Sequence, residues 1–239
     1  TPTPTKHDVV PTSSSSSVAT SSNESAAQHN NNSNNNNSSS SSSSSSSRRQ
    51  AAVRQSSYAL RRNKIECQDL SSLVLSHNEL QALPPLMWEQ LTALDRLDLV
   101  HNRFDQLPLE ILQAAALKVL RLSQNRLTQL SGAVSHLTQL AELHVQENQL
   151  AALPDELSRL SSLRTLDCSR NSSLSAIPPG VLALPQLKNL YADHCALTDI
   201  SPDIGCAQQL VTISVRNNRI RSLPPSLGRL ACLRELFAE

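Results

Sequence analysis

Glycine is scarce in this 239-residue chain: there are only four, Gly132, Gly180, Gly205 and Gly228, and they stand far apart. Loops that cradle phosphate need several glycines close together, so that class of nucleotide site is excluded. No nucleophile elbow, zinc-protease helix or kinase signature is present either. Aromatic side chains make up 2% of the chain. No apolar run reaches the roughly 7–15 residues of an export signal or the ~18 of a membrane span. The five cysteines, Cys67, Cys168, Cys195, Cys206 and Cys232, are odd in number and scattered. That usage predicts free thiols in a reducing compartment, with Cys168, Cys195, Cys206 and Cys232 read as core residues. The first residue is Thr1 and the single methionine is Met87, which predicts a fragment or a processed chain.

Excess charge of one sign is also lacking, since the net charge is +1. The balance hides an asymmetry. Residues 1–64 hold seven basic and two acidic groups, whereas residues 65–239 hold fourteen basic and eighteen acidic ones. The acidic part is no natural partner for nucleic acid. The basic stretch Arg48–Lys64 reads first as a solvated linker, and otherwise as a candidate for weak, salt-sensitive contact with anionic lipid or nucleic acid. Residues from about 11 to 47 are almost wholly Ser and Asn. Such a segment buries too little apolar surface to offset about 1–2 kcal/mol per residue of lost backbone entropy, so residues 1–50 are expected to be disordered. Residues 51–66 are read as a basic linker with a short helix, carrying Val53, Ala59, Leu60 and Ile65, that covers the core where residues 67–239 begin.

What the chain has in abundance is one sentence, repeated: Leu-x-x-Leu-x-Leu-x-x-Asn-x-Leu. Its clearest copy holds Leu94, Leu97, Leu99, Asn102, Phe104 and Leu107. The register positions are Leu73, Leu97, Leu120, Leu143, Leu166, Leu190, Ile213 and Leu236, at steps of 23 or 24 residues. A period of this size marks a solenoid, here over residues 67–239, with seven repeats and a truncated eighth. The eighth stops at Glu239 in mid-strand, so the natural protein is expected to continue.

Within each unit the alternation around the register leucine predicts a short strand buried on one face. Stacked units would pair these strands in parallel, about 4.8 Å apart. The second half, as in Leu153, Pro154, Leu157 and Leu160, predicts a short helical segment facing the same core. The fold class is therefore an α/β solenoid, curved into an arc because the strand side is narrower. Asn78, Asn102, Asn125, Asn148, Asn171 and Asn218 recur where the chain leaves the strand, and are expected to form a structural ladder of buried amides. Cys195 takes that slot in the sixth unit, which predicts one weak rung. The fifth unit, Asn171-Ser172-Ser173-Leu174, has an extra residue and should bulge. Asn171 also begins a glycosylation acceptor pattern, but a ladder residue is turned inward.

The outward strand positions compose a mixed-charge strip, and they are the candidate site: Arg96, Asp98, His101, Arg121, Glu142, His144, Glu147, Asp167, Arg170, Tyr191, Asp193 and Arg216. Ion pairs are expected between Asp98 and Arg121 and between Asp167 and Arg170. Tyr191, the one aromatic mid-strip, is a candidate interface anchor. His77 and His101 should be neighbours, but two imidazoles fall short of the three or four ligands of a zinc site. No metal, cofactor or catalytic residue is expected.

The 23-residue spacing with Leu-Pro after the turn resembles the intracellular class of leucine-rich-repeat proteins. That class is found in Ras-pathway and Ras-suppressor-like scaffolds and in Erbin- and Scribble-like polarity scaffolds. The resemblance implies a cytoplasmic, non-catalytic scaffold in signalling, whose concave strand face docks a protein such as a small GTPase or a phosphatase. The alternative is a regulatory or substrate-recognition arm of a larger enzyme, a kinase, phosphatase, GTPase or ubiquitin ligase, with its catalytic domain beyond residue 239. An extracellular receptor would call for cysteine-paired caps and an export signal, and neither is seen in the sequence.

Overall fold

A computed structural model describes residues 69–239. The expectations for residues 1–50, for residues 51–66, for the Arg48–Lys64 stretch and for Cys67 fall outside that range. The described part is a single open sheet of eight parallel strands in sequential order. They are β1 (Ser72–Val74), β2 (Arg96–Asp98), β3 (Val119–Arg121), β4 (Glu142–His144), β5 (Thr165–Asp167), β6 (Asn189–Tyr191), β7 (Thr212–Ser214) and β8 (Glu235–Phe237). Each register leucine lies opposite the next: Leu73 with Leu97, Leu120 with Leu143, Leu166 with Leu190, Ile213 with Leu236. A slip by one residue would turn every one of these side chains to solvent, so the alternating pattern sets the register.

The return half of each unit is tighter than an α-helix. Six of the seven are 3-10 turns, among them Gly132–His136, Asp155–Arg159 and Pro202–Cys206; only Pro179–Leu182 is a turn of α-helix. Their short length explains the difference. With five or six residues between the entering proline or serine and the exit, the chain closes i to i+3 bonds, as when Leu160 N–H donates to the Leu157 carbonyl at 3.0 Å. Pro154 sits just ahead of its turn, at φ −72° and ψ 142°, where its ring fixes the entry. Successive turns lie close. A Cβ on Gly180 would come within 2.7 Å of the Ser158 Cβ, which is why this turn takes glycine.

Leucines from both halves meet in one continuous core. Leu97, Leu120, Leu143 and Leu166 from the strands, and Leu137, Leu157 and Leu160 from the turns, are fully buried. Burial fades at the ends, where Leu73 is half-buried and Leu236 is 38% exposed. Two thiols depart from expectation. Cys168 and Cys195 are core residues, but Cys206 and Cys232 are exposed.

Five of the six ladder asparagines share one arrangement across repeats. Asn78, in the first described repeat, bonds only to the carbonyls of Leu75 and Ser76 in its own unit. Asn78 and Asn218, toward the two ends, are half-buried. Asn148 Nδ2 donates to the carbonyls of Leu122 (3.0 Å), Val145 (3.0 Å) and Gln146 (3.3 Å), while its Oδ1 accepts from Leu127 N–H at 3.0 Å. Asn102, Asn125, Asn171 and Asn218 repeat this arrangement. Asn171 is 0% exposed, so its acceptor pattern for glycan is turned into the core.

The weak rung and the bulge are connected. Cys195 Sγ reproduces the donor half of an asparagine, reaching the carbonyls of Cys168 and Asp193 at 3.5 Å each. It has no amide oxygen to serve Leu174 N–H. The extra residue in the fifth unit lets Leu174 N–H fold back onto the Asn171 carbonyl at 2.9 Å instead. One irregularity removes the donor that the other would have left unpaired.

Candidate partner-binding face

Immediately before each ladder position, the chain takes a left-handed turn. His77, His101, Gln124, Glu147, Arg170, His194 and Asn217 all have φ between 53° and 57°, and none is glycine. A non-glycine residue there costs on the order of 1 kcal/mol or more, so something must hold it. Each N–H donates to a carbonyl of the next unit, as Glu147 does to Ser169 at 2.9 Å and Arg170 to Asp193 at 2.7 Å.

This turn divides the candidate residues into three rows. Arg96, Asp98, Arg121, Glu142, His144, Asp167 and Tyr191 stand on the strands themselves. Asp193 and Arg216 lie two residues past β6 and β7. His101, Glu147 and Arg170 are exposed at the left-handed corner, along one edge of the strip.

Several of these side chains are brought together. Arg121 Nη1 lies 3.8 Å from Asp98 Oδ2, and His144 Nε2 lies 3.4 Å from Glu142 Oε2. Gln124 Nε2 donates to Glu147 Oε2 across the corner row at 3.0 Å. The imidazoles of His77 and His101 stack with centroids 4.9 Å apart. The expected Asp167–Arg170 pair does not form. Asp167 Oδ1 accepts from Ser169 N–H at 3.1 Å, while Arg170 is carried away at the corner. Asp98 does the same for Val100 N–H at 3.0 Å. These aspartates are therefore partly structural, closing the turn that leaves the strand.

The end of the strip near β7 is more ordered than its charges suggest. Asp193 Oδ1 accepts from both Ser214 Oγ and Arg216 N–H at 2.7 Å. The Arg216 guanidinium lies over the Phe237 ring, 4.1 Å from its centroid. Thr212 Oγ1 donates to Glu235 Oε2 at 3.1 Å. None of Phe237, Glu235 and Thr212 is among the candidate residues read from sequence, although each is an outward strand position by alternation. Partial burial, followed by Asp167 and Glu235 nearby, pushes the Tyr191 hydroxyl above its ordinary pKa. It therefore presents a neutral hydroxyl and a half-buried ring. Further along, Ser123 is 4% exposed with an unpartnered Oγ, and Gln146 Oε1 is likewise unpaired.

No grouping of three or more metal-ligating side chains occurs among the described residues, and none of their helices is long and apolar enough to cross a membrane. Burial pushes the Cys168 thiol well above its ordinary value, with Cys195 and Asp167 adding to the effect, and burial raises Cys195 too. Both are held as thiols and shielded from reagents. Alkylation of the native protein followed by peptide mass spectrometry should label Cys206 and Cys232 and spare Cys168 and Cys195 until denaturant is added. Labelling of Cys168 at the rate of Cys232 would contradict a close-packed core at β5.

Known proteins bear the same pattern. A leucine-rich-repeat family profile matches residues 138–197. No curated protein matches the chain. A leucine-rich-repeat protein of Leptospira interrogans is similar in structure at 34% identity and a TM-score of 0.68, over 71% of this chain and 43% of that one. The Arabidopsis receptor kinase HAESA, in complex with the peptide hormone IDA and the co-receptor SERK1, is similar at 26% identity and a TM-score of 0.62, over 72% of this chain and 31% of that one. A plant peptide hormone receptor, RGFR1 in complex with RGF2, shares the fold at 22% identity and a TM-score of 0.57, over 70% and 32% of the two chains. The chain thus spans less than half the length of each of these relatives. Its parallel sheet, its asparagine ladder and these matches together make it a member of the leucine-rich-repeat family.

Proposed function

We propose that the repeat array docks a protein partner on its strand face, as a non-catalytic scaffold in a cytoplasmic signalling complex. The observation that carries this reading is the in-register stack of eight strands. It arrays outward side chains in columns over about 34 Å, seven spacings of about 4.8 Å each, which suits an extended partner surface better than a small substrate. Leucine-rich repeats are commonly protein-interaction modules, and the similar Arabidopsis receptor kinase was solved with a peptide hormone and a co-receptor. Both support a polypeptide ligand. The 23-residue spacing further supports the intracellular class, whose partners include small GTPases and phosphatases. The twelve candidate residues are assigned to this contact, with Tyr191, Asp193 and Arg170 at its centre. The array would do the same work as the targeting arm of a larger enzyme.

Affinity capture with the full chain tests the face directly. An Arg170→Glu, Tyr191→Ala variant should lose a partner that the wild type retains, by tenfold or more in affinity. An Arg159→Glu, Arg229→Glu variant on the opposite turns should keep it. Equal capture by all three proteins would place the contact elsewhere.

A further inference from the structure

Among the turns of the array, the sixth repeat is packed differently from its neighbours. Two residues after the ladder position and twelve residues after it, three repeats place two large aliphatic side chains: Leu127 and Leu137, Leu150 and Leu160, Ile220 and Leu230. The second repeat has the small Ala114 at the later slot and compensates with Phe104, which is fully buried. The sixth repeat has Ala207 at that slot and Leu197 at the earlier one. A cavity of about 160 Å³ lies beside Leu197, and of these two residues only Leu197 lines it. Its floor is Leu190, Leu197, Ile204, Ile213 and Val215, none more than 3% exposed. Its mouth passes the exposed Pro179 and Asp199 and the half-buried Ile200.

We propose that this cavity is a binding site for a small uncharged apolar molecule, about the size of one aromatic ring, with any hydroxyl it bears turned toward Asp199. Ser201 and Asp199 are the polar residues that line the cavity, and the Ser201 hydroxyl is engaged with Asp203. The floor itself offers no polar partner, so a charged group is disfavoured there. Aliphatic cavities near 150 Å³ stay dry and take up benzene or xenon. The mouth supplies an entry path that a sealed packing defect would lack. Asp199 Oδ2 already accepts from Thr198 Oγ1 at 3.0 Å, which leaves Oδ1 to receive a donor at the rim. The site is separate from the strand strip, because its mouth is formed by return-half residues.

Thermal denaturation of the full chain with benzene or phenol, the probes used, should raise Tm by roughly 1–3 °C. Leu197→Phe, which copies the arrangement of the second repeat, should abolish that rise. Methyl NMR of the wild type provides a reading that does not depend on the variant folding. Benzene should shift the resonances of Leu197, Ile204 and Ile213 while leaving Leu120 and Leu143 in place. No rise in Tm for the wild type, an equal rise in Leu197→Phe, or methyl shifts spread over the whole array would each overturn the proposal.

Discussion

Replacing Asn148 with alanine should lower stability by about 2–4 kcal/mol, equivalent to a Tm roughly 5–15 °C lower for an array of this size. The side chain is 7% exposed and serves four backbone groups in two repeats. Its removal leaves Leu127 N–H and the Leu122 and Val145 carbonyls without their partner in a core that admits no water. Desolvated and unpaired polar groups cost about 1–3 kcal/mol each, and partial relaxation sets the total below their sum. Because each repeat touches only its neighbours, hydrogen exchange should quicken in the third and fourth repeats and not in the seventh. A loss of under 1 kcal/mol would mean that the amides fill space and do not hold the turns.

The second large effect concerns the fifth and sixth repeats. Deleting Ser173 restores the regular spacing but takes Leu174 N–H away from the Asn171 carbonyl. The next rung is a thiol, a poor acceptor, so the deletion alone should cost about 1–3 kcal/mol. Cys195→Asn alone should be close to neutral, because in the native turn no donor awaits its oxygen. Combined, the two changes rebuild the rung seen at Asn148 and should recover most of the loss. A urea-denaturation double-mutant cycle reads this directly as a favourable coupling of about 1–2 kcal/mol. Additive effects would show that the two irregularities are independent.

Much of this architecture is legible in the sequence because hydrophobic spacing is a local code. The leucines that alternate around each register position, and the asparagine five residues after it, specify strand, register and ladder without reference to distant contacts. The turn type was not legible. Leu-Pro-x-x-Leu is compatible with α or 3-10 geometry, and the number of residues available to close the turn decides between them. The left-handed corners were hidden for another reason: glycine usually marks them, and here His101, Glu147 and Arg170 adopt that conformation under a cross-repeat hydrogen bond. That corner is what separates Arg170 from Asp167. The exposed thiols carried a signal that composition alone conceals. Aligned by repeat, Cys206 falls in the slot of His136, Arg159 and Arg229, and Cys232 in that of Gln139, Ser162 and Gln209. Those slots are polar because they face outward.

The strip itself was partly legible. Alternation placed Arg96, Asp98, Arg121, Glu142, His144, Asp167 and Tyr191 on the strands and identified the Asp98–Arg121 contact, at 3.8 Å. It did not show that Asp98, Asp167 and Asp193 also hold backbone N–H groups. Charge reversal at those aspartates would therefore mix folding with binding, whereas Tyr191 and Arg170 have no such backbone duty and are cleaner probes.

The most direct measurement of the strand-face contact is site-specific photo-crosslinking in the full chain. A crosslinking residue at position 191 should join the captured partner, and the same residue at position 159, on the Asp155–Arg159 turn, should not. A crosslink formed from position 159 and absent from position 191 would contradict the account.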